Sequence, residues 1–585
     1  MIAEWNHAAR LLRTVRHLRY SQMLWRTRYM LERRIGSFPA RIQLATAPSL
    51  RPFADFPAVP VFHRPGKTGT QLVEQLSAGV FEHLNLSRAL EIHPTNWLVQ
   101  EATHERLWVV TLHYHAWVYG LAEEAACGNA QAVSLLERLL SDWLENCSLE
   151  RPGARGLVWN SFAIATRLGW WMRSFPLLAN TNFSSALQER LVQSAVQQAD
   201  FLHDHLEWDL RGNHVLRDAV GLAWGGRCFS GAKAENWLQT ATDIAISQAH
   251  EQVLSDGGHF ERSPMYHIHA LEDFCTLALL LKSKTAREEL RSTIARMCEF
   301  VGWMRHPDGE IPLFNDAALH AVAAPEQMLE ICREQGWTSA EDSPHQGGRS
   351  FSDTGLIAWH DANWSLFFDV GAVGPDYQPG HAHADTLTIE ASYRGMRLIV
   401  DPGTYHYDRS GIRKSDRSTA AHNTVCIDHQ DSSETWDIFR VGRRALPRDV
   451  RADFGVNQFI AQGSHNGYDH LPGHASHFRR IQCSASGLCI TDHLTGTGEH
   501  HAQGGFLLAP EWSVTQTPCG WELRNSSRML RVHLRSEQAL DFHVEPAVWH
   551  PEYGKEVAAQ RLVWQTTYQQ PFSVEIRFTP HTSKT

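Results

Sequence analysis

The 585-residue chain is poor in several features that often declare a protein's class. It has no CxxC pair, and its 10 cysteines are scattered, with only Cys483 and Cys489 close together. That pattern excludes a disulfide framework or a thiolate zinc site as the organising device and implies buried free thiols. No apolar run approaches the roughly 18 residues that a membrane-spanning helix needs. The first segment lacks the apolar core of a signal peptide, because Arg10, Arg13, Arg16 and Arg19 interrupt it. The expectation is therefore a cytoplasmic chain by default, with the periplasm as the alternative. Positive charge is scarce too. A net charge of −10 provides no global field for nucleic acid or polyanions, so an anionic substrate must be met by local arginines. There is no strict internal repeat.

What is present describes an ordinary globular protein of two or three domains, 43% hydrophobic and 20% charged. The 21 Trp and 35 His are less ordinary. Clefts that bind sugars use Trp faces, although most Trp simply fill cores. Residues 6–35 form a basic helical stretch, read as a helix docked on the domain with a solvated basic face; membrane-surface attachment is the competing reading. A Pro-rich arm follows, closing a first region at 1–66.

From 67 to 340 the apolar period is helical, in segments such as Asn96–Ala125, Gln131–Glu145, Trp159–Leu178 and Ser185–Leu206, each with one apolar stripe. Short Gly, Pro and Asn breaks imply antiparallel hairpins curled into a partial toroid. Composition changes across 338–352, and from 341 to 585 the period becomes two, through runs such as Trp364–Val370, Thr386–Tyr393 and Phe478–Thr491. Strands of that length imply a large antiparallel β-sandwich. The predicted class is α+β: an incomplete (α/α) toroid followed by a sandwich.

The densest chemistry lies between 367 and 444. His381, His383 and Asp385 alternate, so an extended segment would point all three to one face. Asp401 follows the apolar run Leu398–Val400, and His422 precedes Thr424–Ile427. Two histidines and a carboxylate from successive strands suit a borderline divalent ion such as zinc. Against this, a chain with 35 His should contain HxH pairs by chance. Two stretches of the helical region add polar density: Arg211-Gly-Asn-His-Val-Leu-Arg-Asp218, which reads as a helix start, and Asp256-Gly-Gly-His-Phe-Glu-Arg-Ser-Pro-Met-Tyr-His267. The bland readings are a capping Asn213, a packed His214 and a rigid turn.

In order and spacing, GNHVLRD, DGGHFERSPMYH, GHAHADTLTIE, DPGTY and RSTAAHNTV together resemble the heparinase II/III-like polysaccharide lyases. The resemblance implies a toroid joined to a β-sandwich and β-elimination at a uronate. Such a reaction needs a neutralised carboxylate, a base for the C5 proton and an acid for the leaving oxygen. By resemblance, Asn213 matches the carboxylate neutraliser, a role that a helix start favours. Tyr266 matches the acid, base or both, His214 and His381 the assisting histidines, and Tyr405 a second tyrosine. His383, Asp401 and His422 match the metal ligands, holding a structural ion expected to be zinc, with no organic cofactor. Substrate contacts are expected from Arg217, Glu261, Arg262, Arg413, Arg417 and Arg440, since paired guanidinium contacts suit carboxylate or sulfate; a solvated basic loop is the alternative. Some relatives carry a carboxylate where this chain has Arg217, which bears on the acidic group being read. The expected partner is an anionic polysaccharide, with bacterial exopolysaccharide processing as the setting, and no nucleic acid. Two other functions compete. One is a glycoside hydrolase on a similar toroid, for which Asp256, Glu261 and Asp316 are the candidate carboxylates. The other is a non-catalytic glycan-binding or assembly protein.

Overall fold

The computed structural model describes residues 2–35, 47–63, 66–90, 95–99, 106–339, 345–456, 458–518, 520–526 and 528–581. Much of the Pro-rich arm and the centre of the 338–352 transition lie outside the described residues. The chain forms two compact units. One comprises residues 19–252 and 269–295, the other residues 1–18, 253–268 and 296–585. This division differs from a simple boundary at 340, because the strand-rich unit also claims residues 1–18, 253–268 and 296–340.

The first unit is helical, and its helices start where small polar side chains can satisfy free backbone amides. Asn129 accepts from the amides of Gln131 and Ala132 to open helix Ala130–Asn146. Asn160 and Ser184 do the same for Ser161–Leu178 and Ser185–Asp204. Alternate helices then form two layers. Ala116–Ala126, Ser161–Leu178 and Asn213–Cys228 pack on one another, with Ala130–Asn146, Ser185–Asp204 and Ala232–Gln252 set against them. Burial agrees: Asn213–Cys228 is buried nearly all round, whereas Ser185–Asp204 buries a single stripe. Two concentric layers of helical hairpins are the expected toroid arrangement. The inner layer is tight enough that a Cβ on Gly221 would lie 2.5 Å from Ala165 Cα.

Three details depart from the helical reading. The predicted helix Asn96–Ala125 is two described helices, Arg106–Leu112 and Ala116–Ala126, separated at His115, which takes φ 63°. A short hairpin, Val80–His83 with Leu86–Ala89, precedes them. The basic N-terminal stretch is two helices, Ile2–Val15 and Tyr20–Ile35. The second docks through bonds from Gln22 and Tyr29 to the carbonyls of Asp209 and Leu206. Among the described residues, no helix is long and apolar enough to cross a membrane.

The second unit is built on two antiparallel sheets, of nine and eight strands. The strands of the smaller sheet alternate as predicted; Gly487–Thr495 is buried at every second position. The predicted run Phe478–Thr491 is a hairpin of two strands, Ser476–Ser484 and Gly487–Thr495. The inner strands of the larger sheet are buried on both faces: all of Trp364–Asp369 is buried. One face meets Phe300, Trp303, Met304 and Phe314, which pack with Phe351, Leu356, Ala358 and Phe367. Across the other face, Arg479 of the eight-stranded sheet pairs with Asp492 and reaches the carbonyls of Leu387 and Asn423.

Candidate active site

All the features described next, up to the arginines, belong to the strand-rich unit. Residues 381–388 are not a strand; the strand begins at Ile389, and Leu387 takes φ 66°. Even so, His381, His383 and Asp385 reach one place. His381 Nδ1 lies 2.9 Å from Asp316 Oδ2 and His383 Nε2 lies 2.8 Å from Asp316 Oδ1. Asp385 accepts from the amide of Asn315, and the Asn315 side chain accepts from the amide of His383. The hub is thus the loop Asn315–Asp316.

Asp316 is fully buried, and Arg413 grips both its oxygens, with Nη2 at 2.8 Å from Oδ2. Against the cost of burial, Arg413 and the two imidazoles hold this carboxyl well below the usual carboxylate range. An ionised carboxylate only accepts hydrogen bonds. His381 therefore donates from Nδ1 and His383 from Nε2. The other ring nitrogen of His381, Nε2, which accepts when the imidazole is neutral, lies 3.6 Å from Glu261 Oε2.

Tyr266 stacks on His381, with ring centroids 3.8 Å apart. It sits in the first turn of helix Pro264–Leu280. Ser263 fixes that turn by accepting from the Tyr266 amide and donating to the Asp316 carbonyl at 2.6 Å. The Tyr266 hydroxyl is 3.2 Å from that of Tyr407, which is 2.7 Å from that of Tyr553. Burial above all, with Tyr553 and Asp316 nearby, pushes the Tyr266 phenol well above its ordinary value. It is protonated at neutral pH.

Tyr405 is not in this cluster. Its ring packs against His406 and His550, and its amide donates to Asp416. Tyr407 takes the place expected for it. The DPGTYHYD segment places the two tyrosines two residues apart, and the sequence carries no sign of which turns inward. Tyr553 was missed because nothing near it marks chemistry. Asp316 appeared only among the hydrolase carboxylates; the Phe-Asn-Asp run after a helix was the available signal.

The expected metal ligands are only partly arranged for an ion. His383 Nδ1 and His422 Nε2 are buried, have no hydrogen-bond partner, and belong to rings 5.2 Å apart. Since His383 donates from Nε2, its Nδ1 carries a bare lone pair. Asp401, however, accepts from His422 Nδ1 at 2.8 Å, behind the ring, the position of a carboxylate that orients a ligand. Among the described residues, no three His, Cys, Asp or Glu are grouped closely enough to hold an ion. Only His383 presents a bare lone pair: against burial, Asp401 raises His422 to about 9, so an ion would have to displace the proton on its Nε2, and no reaction step is routed through a metal.

The arginines expected to meet substrate are mostly structural. Arg413 is 1% exposed and committed to Asp316. Arg417 is equally buried and bonds the carbonyls of Ala382, Asp437, Ile438 and Arg440. Arg262 braces the carbonyls of Thr354 and Asp353. Arg440 alone among these is exposed, lying over Trp436. Sequence showed their charge but not their burial.

In the helical unit, Asn213 is the first residue of helix Asn213–Cys228 and is buried; Gly212, at φ 59°, is its cap. His214 Nδ1 lies 3.1 Å from Glu207 Oε2. Arg217 is paired with Asp273 at 2.9 Å and lies 2.7 Å from His269 Nε2.

Two family models match the chain: Heparinase II/III N-terminus over residues 77–333, and Heparinase II/III-like, C-terminal over residues 343–579. The chain belongs to the heparinase II/III-like family. It is 22% identical over 402 residues to a heparin-sulfate lyase of Bacteroides thetaiotaomicron, covering 62% of this chain and 56% of that protein. It is 27% identical over 258 residues to a heparin-sulfate lyase of Bacteroides stercoris, covering 40% and 38%. The chain thus spans about half the length, or less, of these curated relatives. A crystal structure of heparinase III superposes with a TM-score of 0.70 at 19% identity, covering 83% of this chain and 79% of that one. That likeness shows the shared fold, a helical toroid with a β-sandwich.

Proposed function

We propose that the protein is a polysaccharide lyase that cleaves a uronate-containing glycan by β-elimination. One observation carries the reading: a buried, protonated tyrosine stacked on a histidine whose tautomer an ionised aspartate fixes. The names of the heparin-sulfate lyase relatives favour a glycosaminoglycan-like substrate. An acidic exopolysaccharide is the wider class.

The chemistry balances without an external oxidant or reductant. His381 Nε2 takes the C5 proton, the released pair forms the C4–C5 double bond, and the C4–O4 bond breaks. Tyr266 gives its proton to the departing O4, and the Tyr407–Tyr553 hydroxyl chain stabilises the phenolate that forms. The developing enolate also requires a donor that neutralises the substrate carboxylate. The hydrolase reading has less support. It needs a carboxylic acid that stays protonated near neutrality, whereas Asp316 is held ionised.

The test is a screen for the ultraviolet absorbance of an unsaturated uronate product on heparan sulfate, hyaluronan, chondroitin, alginate and acidic exopolysaccharides. Tyr266→Phe is expected to lower turnover on the active polymer by about 10²–10⁴-fold. Product with no new absorbance would sink the reading in favour of hydrolysis.

We also propose that His383 Nδ1 and His422 Nε2 hold a divalent ion, with Asp401 orienting His422 and zinc the best match to two imidazoles. The expected result is one ion per chain by elemental analysis, lost in His422→Ala. Chelator should lower the melting temperature of the wild type and leave that variant unmoved. Equal metal content in both proteins would refute this assignment.

A further inference from the structure

Phe439 has no role in the chemistry above. It stands at the tip of a small hairpin in the strand-rich unit, Thr435–Trp436 paired with Arg440–Val441. Among the described residues it is the only Phe or Trp with a large exposed ring, at 42% exposure. Leaving such a ring partly in water forgoes apolar burial. Its surroundings are specific. The ring lies edge-on to Tyr407 at 5.2 Å and to His381 at 6.0 Å, and Arg413 sits 5.6 Å from its centre.

The exposure does not come from a loose loop. Arg413 donates to the Ile438 carbonyl through Nε and Nη2, at 3.2 and 3.0 Å. Arg417 donates to the carbonyls of Asp437, Ile438 and Arg440. The guanidinium that grips Asp316 therefore also holds the peptide before Phe439, so the ring and His381 share one rigid support. Behind the tip, the N-terminal helix props the hairpin: Thr14 accepts from Trp436 Nε1 at 3.0 Å, and Arg13 pairs with Glu434 at 2.7 Å. A flat apolar ring fixed beside a catalytic pair, with Arg440 next to it in sequence, suits a pyranose that is apolar on one face and anionic at its rim.

We propose that Phe439 is the stacking platform for a pyranose ring of the glycan next to the bond being cleaved. It binds and orients substrate and takes no part in proton transfer. The inference rests on the lyase reading for its choice of ligand but not on turnover. It is tested by calorimetric binding of heparan sulfate and of alginate to the wild type, Phe439→Ala and Phe439→Trp, together with kinetics on whichever polymer yields unsaturated product. Phe439→Ala should weaken binding about tenfold or more and raise KM by a similar factor, with kcat within about twofold. Phe439→Trp should restore both, and all three proteins should melt alike. Binding by Phe439→Ala equal to wild type, a fall in kcat alone, or no wild-type binding of either polymer overturns the proposal. A wild type that binds but yields no unsaturated product defeats the lyase reading instead, and the Phe439→Ala binding comparison still decides the platform.

Discussion

Asp316 in the strand-rich unit and Asp218 in the helical unit are both fully buried, yet their surroundings push the two carboxyls in opposite directions. Asp316 has a bidentate arginine and two imidazoles on its oxygens and stays ionised. Asp218 has only the Glu207 amide on Oδ2, while Oδ1 has no partner. Burial first, then the nearby Glu207 carboxylate, pushes it well above the ordinary range. Burial alone therefore does not set charge; the partners do. An ionised buried carboxylate dictates tautomers around it, whereas a protonated one acts as a neutral packing group.

The largest effect should come from Asp316→Asn. The variant keeps shape but removes the charge, leaving Arg413 buried without its counter-ion and freeing the His381 tautomer. A loss of about 3–5 kcal/mol in unfolding free energy is expected, with turnover down on the order of 10³-fold. Denaturant unfolding and the ultraviolet assay measure the two separately. Stability within about 1 kcal/mol of wild type would mean that Asp316 is not the charged hub.

Asp218→Asn should do far less below about pH 4, within about 1 kcal/mol, because there it replaces a carboxyl protonated in both the folded and the unfolded chain. Its pH dependence is sharper. With a folded pKa above the unfolded one, Asp218 gives its full stability contribution below the ordinary carboxylate pKa and loses it as pH rises towards the folded value. The asparagine variant lacks that loss, so its stability relative to wild type should climb as pH rises from about 4. A flat difference across the range would show that Asp218 titrates normally.

The contrast also explains what could be read from sequence. Periodicity revealed the two architectures, because alternation such as that of Gly487–Thr495 reflects a sheet face directly. Motif order led to Tyr266, His381 and His383, because each lies in a dense polar run that stands out in the sequence. What failed was anything decided by long-range pairing. Arg413 and Arg417 read as a basic substrate loop because charge is visible and burial is not. Asp316 lies 65 and 67 residues from the two histidines it orients, and Tyr553 lies 146 from Tyr407. Tyr405 and Tyr407 differ only in which way a turn carries each ring, and local sequence does not encode that choice.

The smallest effect belongs to a third carboxylate, placed between these extremes. Glu434 is near the surface and takes Arg13 on both oxygens, with Arg10 beside it. Against partial burial, the Arg13 hydrogen bond, the Arg443 amide and neighbouring guanidinium charge bring it down to about 2. With the folded pKa depressed, its contribution is present above the ordinary glutamate value and is lost as pH falls from about 4.5 towards 2. Solvent and salt screen the pair, so Glu434→Gln should cost below about 1 kcal/mol at neutral pH. That cost should shrink in high salt and vanish at the acid end. The Asp316→Asn penalty should barely respond to salt, because its partners are sealed from water. Equal salt sensitivity in the two variants would erase the distinction between a buried hub and a surface clamp.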